Sequence, residues 1–240
     1  MIHWTIKKFL EKVFLSRRGG YIDKRFLEKI NKQHVKTIFE VGARFGDESI
    51  NLSNAYPNAA IYCFDPNPLT HQQCEKNLVG FKNIHFYKYA LGSEEKSQIF
   101  YPYLVDNNPG ASSFLKRIDF EKTQHLEGLE VQIRTAKNVM QELGIVEVSL
   151  LCMDVQGFEL EVLKGFGDCL RKIQYIIMEE PALKPSERYL EKGLHSKYIG
   201  APSQEEIRQY MNQNDFFEVV RLKENKIEDN VLYEHRESIR

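Results

Sequence analysis

The segment between Thr37 and Asp65 limits the fold of this chain more than any other part of the sequence. An apolar run at 37–41 leads into a turn that contains Gly42 and Gly46, and a helical pattern and a second apolar run follow before Asp65. Strand, glycine turn, helix, strand and acid, in this order, are typical of a nucleoside-binding α/β unit. The segment therefore predicts a ligand over the carboxyl ends of parallel strands, with Asp65 accepting the hydroxyl protons of a ribose.

The glycine spacing indicates which nucleoside is bound. A dinucleotide fingerprint reads G-x-G-x-x-G, because a pyrophosphate lies on the helix N-terminus, whereas this chain has G-x-x-x-G with Arg44 between the glycines. Glu40 and Asp47 flank the turn. Their negative charge would repel a pyrophosphate but suits a ligand with an ammonium and a sulfonium. The pattern favours S-adenosylmethionine, and a tight strand–helix turn without a ligand is the alternative.

The overall composition is typical of a soluble globular protein. The chain has 240 residues, of which 42% are hydrophobic and 28% charged, and a net charge of −1, so the charge balance predicts no nucleic-acid partner. Its four cysteines form no C-x-x-C pair, which favours a reducing compartment and argues against a disulfide framework or a zinc site. No apolar run is long enough to span a bilayer, and we expect a cytoplasmic protein.

The charge pattern predicts an N-terminal extension, 1–33, followed by one domain, 34–240. Residues 1–25 carry seven lysines and arginines against Glu11 and Asp23, with aromatic and aliphatic residues at near-helical spacing. A basic amphipathic helix of this kind can make weak contact with a membrane surface or dock a partner. The alternative is a helix packed on the domain with a solvated basic face.

Short apolar runs alternate with helical patterns along the rest of the chain and predict an α/β protein. The run at 148–153 is unbroken and apolar, as a central parallel strand should be. The β-prone segment 97–103 predicts a side hairpin. Segments 216–222 and 230–235 predict a closing antiparallel hairpin.

A second informative motif, 154–165, follows directly on the predicted central strand. It reads D-V-Q-G-F-E-L-E-V-L-K-G and resembles the D-V-E-G-x-E pattern, with an apolar helix ending in K-G, of the FkbM-type S-adenosylmethionine-dependent methyltransferases. The resemblance spans roughly 37–180 and also covers V-G-A and G-D within 41–47, F-D-P-N-P at 64–68, A-L-G at 90–92 and A-S-S at 111–113. This chain departs from the family at Gln156, where glutamate is usual, and at 136–138, where the family often has an acidic pair. Both departures remove negative charge and weaken the case for a metal.

The resemblance implies a Rossmann-like class I methyltransferase fold: a mostly parallel central sheet, helices on both faces and a closing antiparallel hairpin. It implies O-methylation of a small-molecule or glycan acceptor such as a sugar. Carried over residue by residue, it assigns cofactor-binding roles to Glu40, Gly42, Gly46, Asp65, Ala90, Leu91 and Asp154. Ser112 and Ser113 match a serine pair near the family's site, and we expect them on the acceptor side.

Methylation of a hydroxyl needs a general base, because an alcohol is a poor nucleophile. Asp154 is the first candidate, since the carboxyl end of a central strand faces the ligand; its alternative is a helix-capping role. Glu179 and Glu180, after the next strand, are second candidates, although an acidic strand end is often merely solvated. His195 and His125 are loop histidines that could act as bases or contact substrate, or lie on the surface.

The sequence leaves other functions open. Asp154 with Glu179 or Glu180 could ligate Mg²⁺, which the sequence does not favour, and we assign no metal residues. Four tyrosines, Tyr101, Tyr103, Tyr189 and Tyr198, could stack on a sugar or belong to the core. The alternative functions are a nicotinamide-dependent oxidoreductase and a non-catalytic Rossmann-like binding module.

Overall fold

The structure, a computed structural model, describes residues 22–103, 109–118, 128–183, 196–224 and 227–239. The strands of this part of the chain are β1 (Thr37–Val41), β2 (Ala60–Phe64), β3 (Ile84–Tyr87), β4 (Ala90–Leu91), β5 (Lys96–Phe100), β6 (Leu129–Arg134), β7 (Val148–Met153), β8 (Ile173–Pro181), β9 (Phe216–Lys223) and β10 (Glu228–His235). The helices are α1 (Lys24–Leu27), α2 (Asp47–Ala55), α3 (Pro68–Leu78), α4 (Ala136–Leu143), α5 (Glu159–Lys164) and α6 (Gln204–Gln213).

Seven strands form the central sheet in the order β3-β2-β1-β7-β8-β10-β9. The first five are parallel, whereas β10 pairs antiparallel with both β8 and β9. The chain order reverses between β1 and β7, which is the point where an open α/β sheet binds its ligand. The predicted Rossmann-like fold, with its closing hairpin, is confirmed.

Helices cover both faces because strand side chains alternate between them. Ile38 packs in a cluster with α1 and α2, whereas its neighbour Phe39 packs in a larger cluster with α4, α5 and α6. All six residues of β7 are buried, which explains why this strand is apolar on both faces.

A small second sheet has the order β4-β6-β5. Its strand β5 pairs antiparallel with β6, and β4 pairs parallel with β6. The segment 97–103, predicted as a side hairpin, therefore contributes one strand to this sheet: β5 pairs with a strand some thirty residues further along the chain, and Tyr101 forms an isolated bridge to Ser113. The sheet places Ala90 and Leu91 next to the central sheet.

The N-terminal end of the described chain packs on the domain. Phe26 and Ile30 are buried against Ile38 and Leu52. Residues 1–21, which carry most of the predicted basic helix, lie outside the described residues. No helix in the described ranges has the length and apolar character that a membrane crossing needs.

Candidate active site

The carboxyl ends of β1, β2, β7 and β8 open into a cleft that contains a cavity of ≈ 300 Å³, within the usual range for a ligand pocket. Eight of the residues expected at the site line it: Glu40, Gly42, Asp65, Ala90, Leu91, Ser112, Asp154 and Glu179. Gly46, Ser113 and Glu180 do not line this cavity. His125, His195 and Tyr189 lie outside the described residues.

The glycine turn brings backbone close to backbone. Gly42 has φ +97°, and an added Cβ would overlap the carbonyl oxygen of Asp154, so β1 and β7 can approach here only with glycine. Gly46 has φ +79°, and its added Cβ would lie 2.8 Å from Leu78 Cδ2. Gly46 therefore lets α2 start close to α3.

Asp65 is fixed at the end of β2 by three hydrogen bonds. Its Oδ2 accepts from the Arg44 N–H at 2.7 Å, and Oδ1 accepts from the Asn67 N–H at 2.9 Å and Thr70 Oγ1 at 3.1 Å. Burial raises the pKa of this carboxyl, and the three donors oppose the shift. Because a carboxylate has about four acceptor positions, Asp65 retains room for one further donor, such as one ribose hydroxyl.

Two polar atoms in the cavity wall are buried without a partner among the described residues. They are Nδ2 of Asn67 and Oε1 of Glu40. The other oxygen of Glu40 accepts from Ser49 Oγ, and burial raises the pKa of Glu40 to about 8. An unpaired buried donor or acceptor is costly. Both atoms therefore fit a polar ligand, with an acceptor facing Asn67 and a cation facing Glu40.

The wall is strongly acidic. Eight acids line the described cavity (Glu40, Asp47, Glu48, Asp65, Asp154, Glu179, Glu224 and Glu228) against three cations (Arg44, Arg117 and Lys197). This excess suits a ligand that carries positive charge and opposes a pyrophosphate. The unpaired atoms of Asn67 and Glu40, together with the excess of acids, fit the ribose, ammonium and sulfonium of S-adenosylmethionine.

Asp154 lies at the end of β7, half-buried, with its N–H bonded to the Val41 carbonyl at 3.1 Å. Its Oδ1 accepts from the side-chain amide of Gln156, whereas Oδ2 makes no hydrogen bond to any described residue. Removal from water raises the pKa of Asp154 to about 6, against the effect of the Gln156 hydrogen bond. At neutral pH the carboxylate is therefore ionised, with one oxygen available in the cleft.

Gln156 connects Asp154 to the rest of the site. Its Nε2 also donates to Glu179 Oε2 at 3.1 Å, and its Oε1 accepts from the Tyr198 hydroxyl. Ser113 Oγ donates to the Gln156 carbonyl at 2.8 Å. Ser113 thus holds the loop that carries Asp154, and Gln156 fixes the position of the carboxylate.

The neighbouring acids of β8 point to opposite faces, as successive strand residues do. Glu179 is 7% exposed and lines the cavity. Glu180 accepts from Tyr233 Oη at 2.8 Å and lies 3.4 Å from Nη2 of Arg221. Glu180 belongs to an ion pair of the closing hairpin, and its placement does not support a catalytic role.

Several residues at the site carried no separate signal in the sequence. Glu159, the last acid of the D-V-Q-G-F-E motif, accepts from the N–H groups of Val155 and Gly157 at 3.2 Å and so orders the turn after Asp154. The motif indicated this residue, but its role as a loop organiser was missed. No sequence pattern pointed to four other residues of the cavity wall, which come from loops and the hairpin: Arg117, Lys197, Glu224 and Glu228. Tyr198 was named in the sequence, but as a residue that could stack on a sugar and not as a partner of Gln156. Among the described residues no group of three or more His, Cys, Asp or Glu side chains could hold a metal ion.

Comparisons with known proteins agree with this geometry. The family model described as "Methyltransferase FkbM domain" matches residues 40–217. The 2-O-methyltransferase NoeI of Sinorhizobium fredii is 23% identical over 150 residues, 59% of this chain and 62% of the relative. The hexuronic acid methyltransferase AglP of Haloferax volcanii is 24% identical over 143 residues, 59% of this chain and 54% of the relative. The chain thus spans less than two thirds of the length of these curated relatives.

A solved structure, Aeropyrum pernix fibrillarin with bound S-adenosyl-L-methionine, aligns over 82% of this chain and 66% of its own, at 14% identity and a TM-score of 0.47. That likeness is too remote to carry an argument. The family match covers most of the chain, and it includes the glycine turn, Asp65 and the Asp154 motif. The chain belongs to the FkbM methyltransferase family, whose domains take S-adenosylmethionine as methyl donor.

Proposed function

We propose that the protein transfers a methyl group from S-adenosylmethionine to a hydroxyl of a carbohydrate, a glycan or a similar small molecule, with Asp154 as general base. One observation carries the proposal. Asp154 Oδ2 is a carboxylate oxygen in the cleft that no described residue pairs, at the strand end between the cofactor-binding acids and Glu179.

The wall at β1 and β2 offers a matching group to each part of the cofactor. Asp65 accepts a ribose hydroxyl, and Nδ2 of Asn67 donates to an oxygen or nitrogen of the nucleoside. Glu40 faces the ammonium of the methionine part. Ala90 and Leu91 supply an apolar wall for the adenine. When bound, S-adenosylmethionine supplies an electrophilic methyl group on a sulfonium.

Asp154 removes the proton that the acceptor oxygen loses as it forms its bond to carbon. A base with a pKa of about 6 is mostly ionised at neutral pH and still basic enough to take up the proton. Gln156 holds Oδ1 and so directs Oδ2 toward the acceptor. Methyl transfer also requires that the acceptor oxygen and the methyl carbon be aligned. The close packing of Gly42 on the Asp154 carbonyl fixes the position of the base relative to these atoms.

The choice of a hydroxyl acceptor is supported by the name of one relative, a 2-O-methyltransferase, and the choice of a carbohydrate by the name of another, a hexuronic acid methyltransferase. The tyrosines expected to stack on a sugar do not add to it. Lys116 lies over the Tyr101 ring at 5.5 Å and Arg117 over the Tyr103 ring at 4.6 Å, and Tyr198 is committed to Gln156. The acidic wall gives no support to the nicotinamide alternative.

The test is Asp154→Asn, assayed by S-adenosylhomocysteine formation over a panel of sugar and glycan hydroxyl acceptors. We expect kcat to fall by about 10²- to 10⁴-fold, the range for loss of a general base, while S-adenosylhomocysteine still binds. Asp168→Asn is the matched control, since Asp168 is exposed and pairs with Lys137 outside the cleft. Normal turnover by Asp154→Asn would refute the base assignment.

A further inference from the structure

We propose that the acceptor carries a protonated amine that binds beyond Asp154, an inference that rests on the proposed methyl transfer. The binding surface is the acceptor-side wall, which consists of Glu179, Glu224, Glu228 and Lys197 and lines the same cavity as Asp154. Glu179 comes from the end of β8. Glu224 and Glu228 come from the end of β9 and the start of β10.

The sheet order places this wall on the acceptor side. The cofactor-binding groups Glu40 and Asp65 are carried by β1 and β2, and Asp154 follows β7. The strands β8, β10 and β9 continue the sheet on the other side of β7. A substrate hydroxyl that reaches Asp154 from that side therefore brings its neighbouring groups against the acceptor-side wall.

Glu179 has one carboxylate oxygen without a hydrogen-bond partner among the described residues. The residue is 7% exposed and lines the cavity, its Oε2 accepts from Gln156 at 3.1 Å, and its Oε1 accepts no hydrogen bond from the described residues. A carboxylate oxygen in this position can accept a donor from a ligand. An ammonium placed at Oε1 would make a charge-assisted hydrogen bond, which is about twice as strong as a neutral one.

The wall already binds one ammonium. Lys197 Nζ donates to Glu228 Oε2, so the chemistry of this surface accepts a primary amine. Glu224 accepts from the neutral amide of Asn230. No lysine or arginine in the described part of the chain forms an ion pair with Glu179 or Glu224, and these two carboxylates remain for a cation from the ligand.

An organic amine fits better than a metal ion. Magnesium requires several oxygen ligands at close to ideal octahedral geometry, and the described residues contain no group of three acids near enough to hold one. An ammonium needs one or two acceptors at hydrogen-bond distance. The wall has three acids and one lysine, so its charge balance favours a cationic acceptor over an anionic one.

Binding of an amine should release a proton. Burial and the neighbouring carboxylates Asp154, Glu228 and Glu224 raise the pKa of Glu179 well above its usual value, so the ligand-free cleft disfavours its ionised form. An ammonium favours the ionised form. The heat of binding will then depend on the ionisation enthalpy of the buffer, an effect that simple shape complementarity does not produce.

The test is isothermal titration of the protein loaded with S-adenosylhomocysteine, using pairs of sugars that differ only in a free or N-acetylated amine. The first pair is D-glucosamine and N-acetyl-D-glucosamine at pH 6.5, with D-glucuronate as the anionic probe and MgCl₂ as the metal probe. We expect at least one amine to bind about tenfold more tightly than its acetylated partner, with proton release, and no binding of glucuronate.

Glu179→Gln should abolish the preference for the amine. Glu147→Gln is the matched control, because exposed Glu147 precedes β7 at the opposite edge of the sheet, and it should keep the preference. If no amine in the panel binds better than its acetylated partner, or if MgCl₂ binds in a Glu179-dependent way, the inference is overturned. Failure of wild type to bind S-adenosylhomocysteine would instead refute the proposed function.

Discussion

The side-chain amide of Gln156 donates a 3.1 Å hydrogen bond to Oε2 of Glu179, joining the loop after β7 to the end of β8. The same amide nitrogen also donates to Asp154. One neutral side chain thus separates and orients two carboxylates. A glutamate at this position, as the family pattern has it, would place a third carboxyl group between them.

Substitution of Gln156 by glutamate should raise the pKa of the base. It replaces a donor to Asp154 by a group of like charge, which disfavours ionisation. We expect the acid limb of the pH profile of kcat/KM to move upward by about one unit, with activity recovered at higher pH. Gln213→Glu, an exposed change on helix α6, should leave the profile unchanged. An unmoved acid limb in Gln156→Glu would exclude this positioning role.

The pH profile of kcat/KM for the wild-type enzyme should show an acid limb near the pKa of Asp154. The proposed base, Asp154, can take up a proton only when ionised, and removal from water raises its pKa to about 6. We therefore expect kcat/KM to rise with pH through about 6 and then level off. The acid limb reports the free enzyme's base. In Asp154→Asn the residual rate should lose this limb. A limb that persists unchanged in the variant would assign it to another group.

Glu40 should make the ligand-free protein less stable as pH rises. Burial raises the pKa of this carboxyl from 4.5, the ordinary value for a glutamate, to about 8 in the folded state. Between these values the folded state holds a proton that the unfolded state has lost. The contribution of this group is therefore greatest below pH 4.5 and declines as pH rises to 8. Glu40→Gln should raise the stability of the ligand-free protein at pH 8 by about 1–3 kcal/mol and weaken S-adenosylhomocysteine binding.

Thermal unfolding of wild type and Glu40→Gln at pH 5 and pH 8 measures this effect. The difference in melting temperature should be small at pH 5 and several degrees at pH 8. Glu147→Gln, which changes the same charge on the exposed surface, should show no such pH dependence. An equal difference at both pH values would mean that Glu40 is not held protonated.

The two glycines Gly42 and Gly80 provide a matched pair with nearly equal backbone angles. Both have positive φ, +97° and +96°, but an added Cβ at Gly80 meets nothing within 4 Å, whereas at Gly42 it meets the Asp154 carbonyl. Gly80→Ala should cost about 1–2 kcal/mol of unfolding free energy from backbone strain alone. Gly42→Ala should cost at least about 3 kcal/mol, because overlap adds to the strain, and should also lower kcat. Chemical denaturation and turnover assays of both variants test this difference. Equal losses of unfolding free energy in the two variants would contradict the close packing of β1 on β7.

The sequence predicted the parts of the fold that depend on local pattern. The apolar run 148–153 forms β7, which is buried throughout, and Asp154 lies directly after this strand in the cleft. The partner of β5 was not predictable, because its pairing with β6 is set across an intervening loop. The sequence could not show which of Glu179 and Glu180 faces the cavity, because a shift of one residue in the strand register would exchange their faces.

The acceptor side of the site was the least predictable. Its residues come from segments far apart in sequence: Lys197 lies in a loop before α6, and Glu224 and Glu228 lie at the tip of the closing hairpin. Their roles depend on pairing between β10 and β8, and no spacing within any one segment carries that information. The proposed cofactor side depends less on long-range pairing, because the single segment 40–65 contains most of its residues.

The most direct measurement is isothermal titration of S-adenosylhomocysteine into wild type, Asp65→Asn and the surface control Asp168→Asn, with NADH as the competing ligand. The asparagine side chain keeps one acceptor oxygen at position 65 but has no charge. The variant should therefore retain the fold while its contact with the ribose weakens. We expect an affinity on the order of micromolar for wild type and control, a loss of about tenfold or more in Asp65→Asn, and no heat from NADH. Binding of NADH without S-adenosylhomocysteine would contradict this expectation.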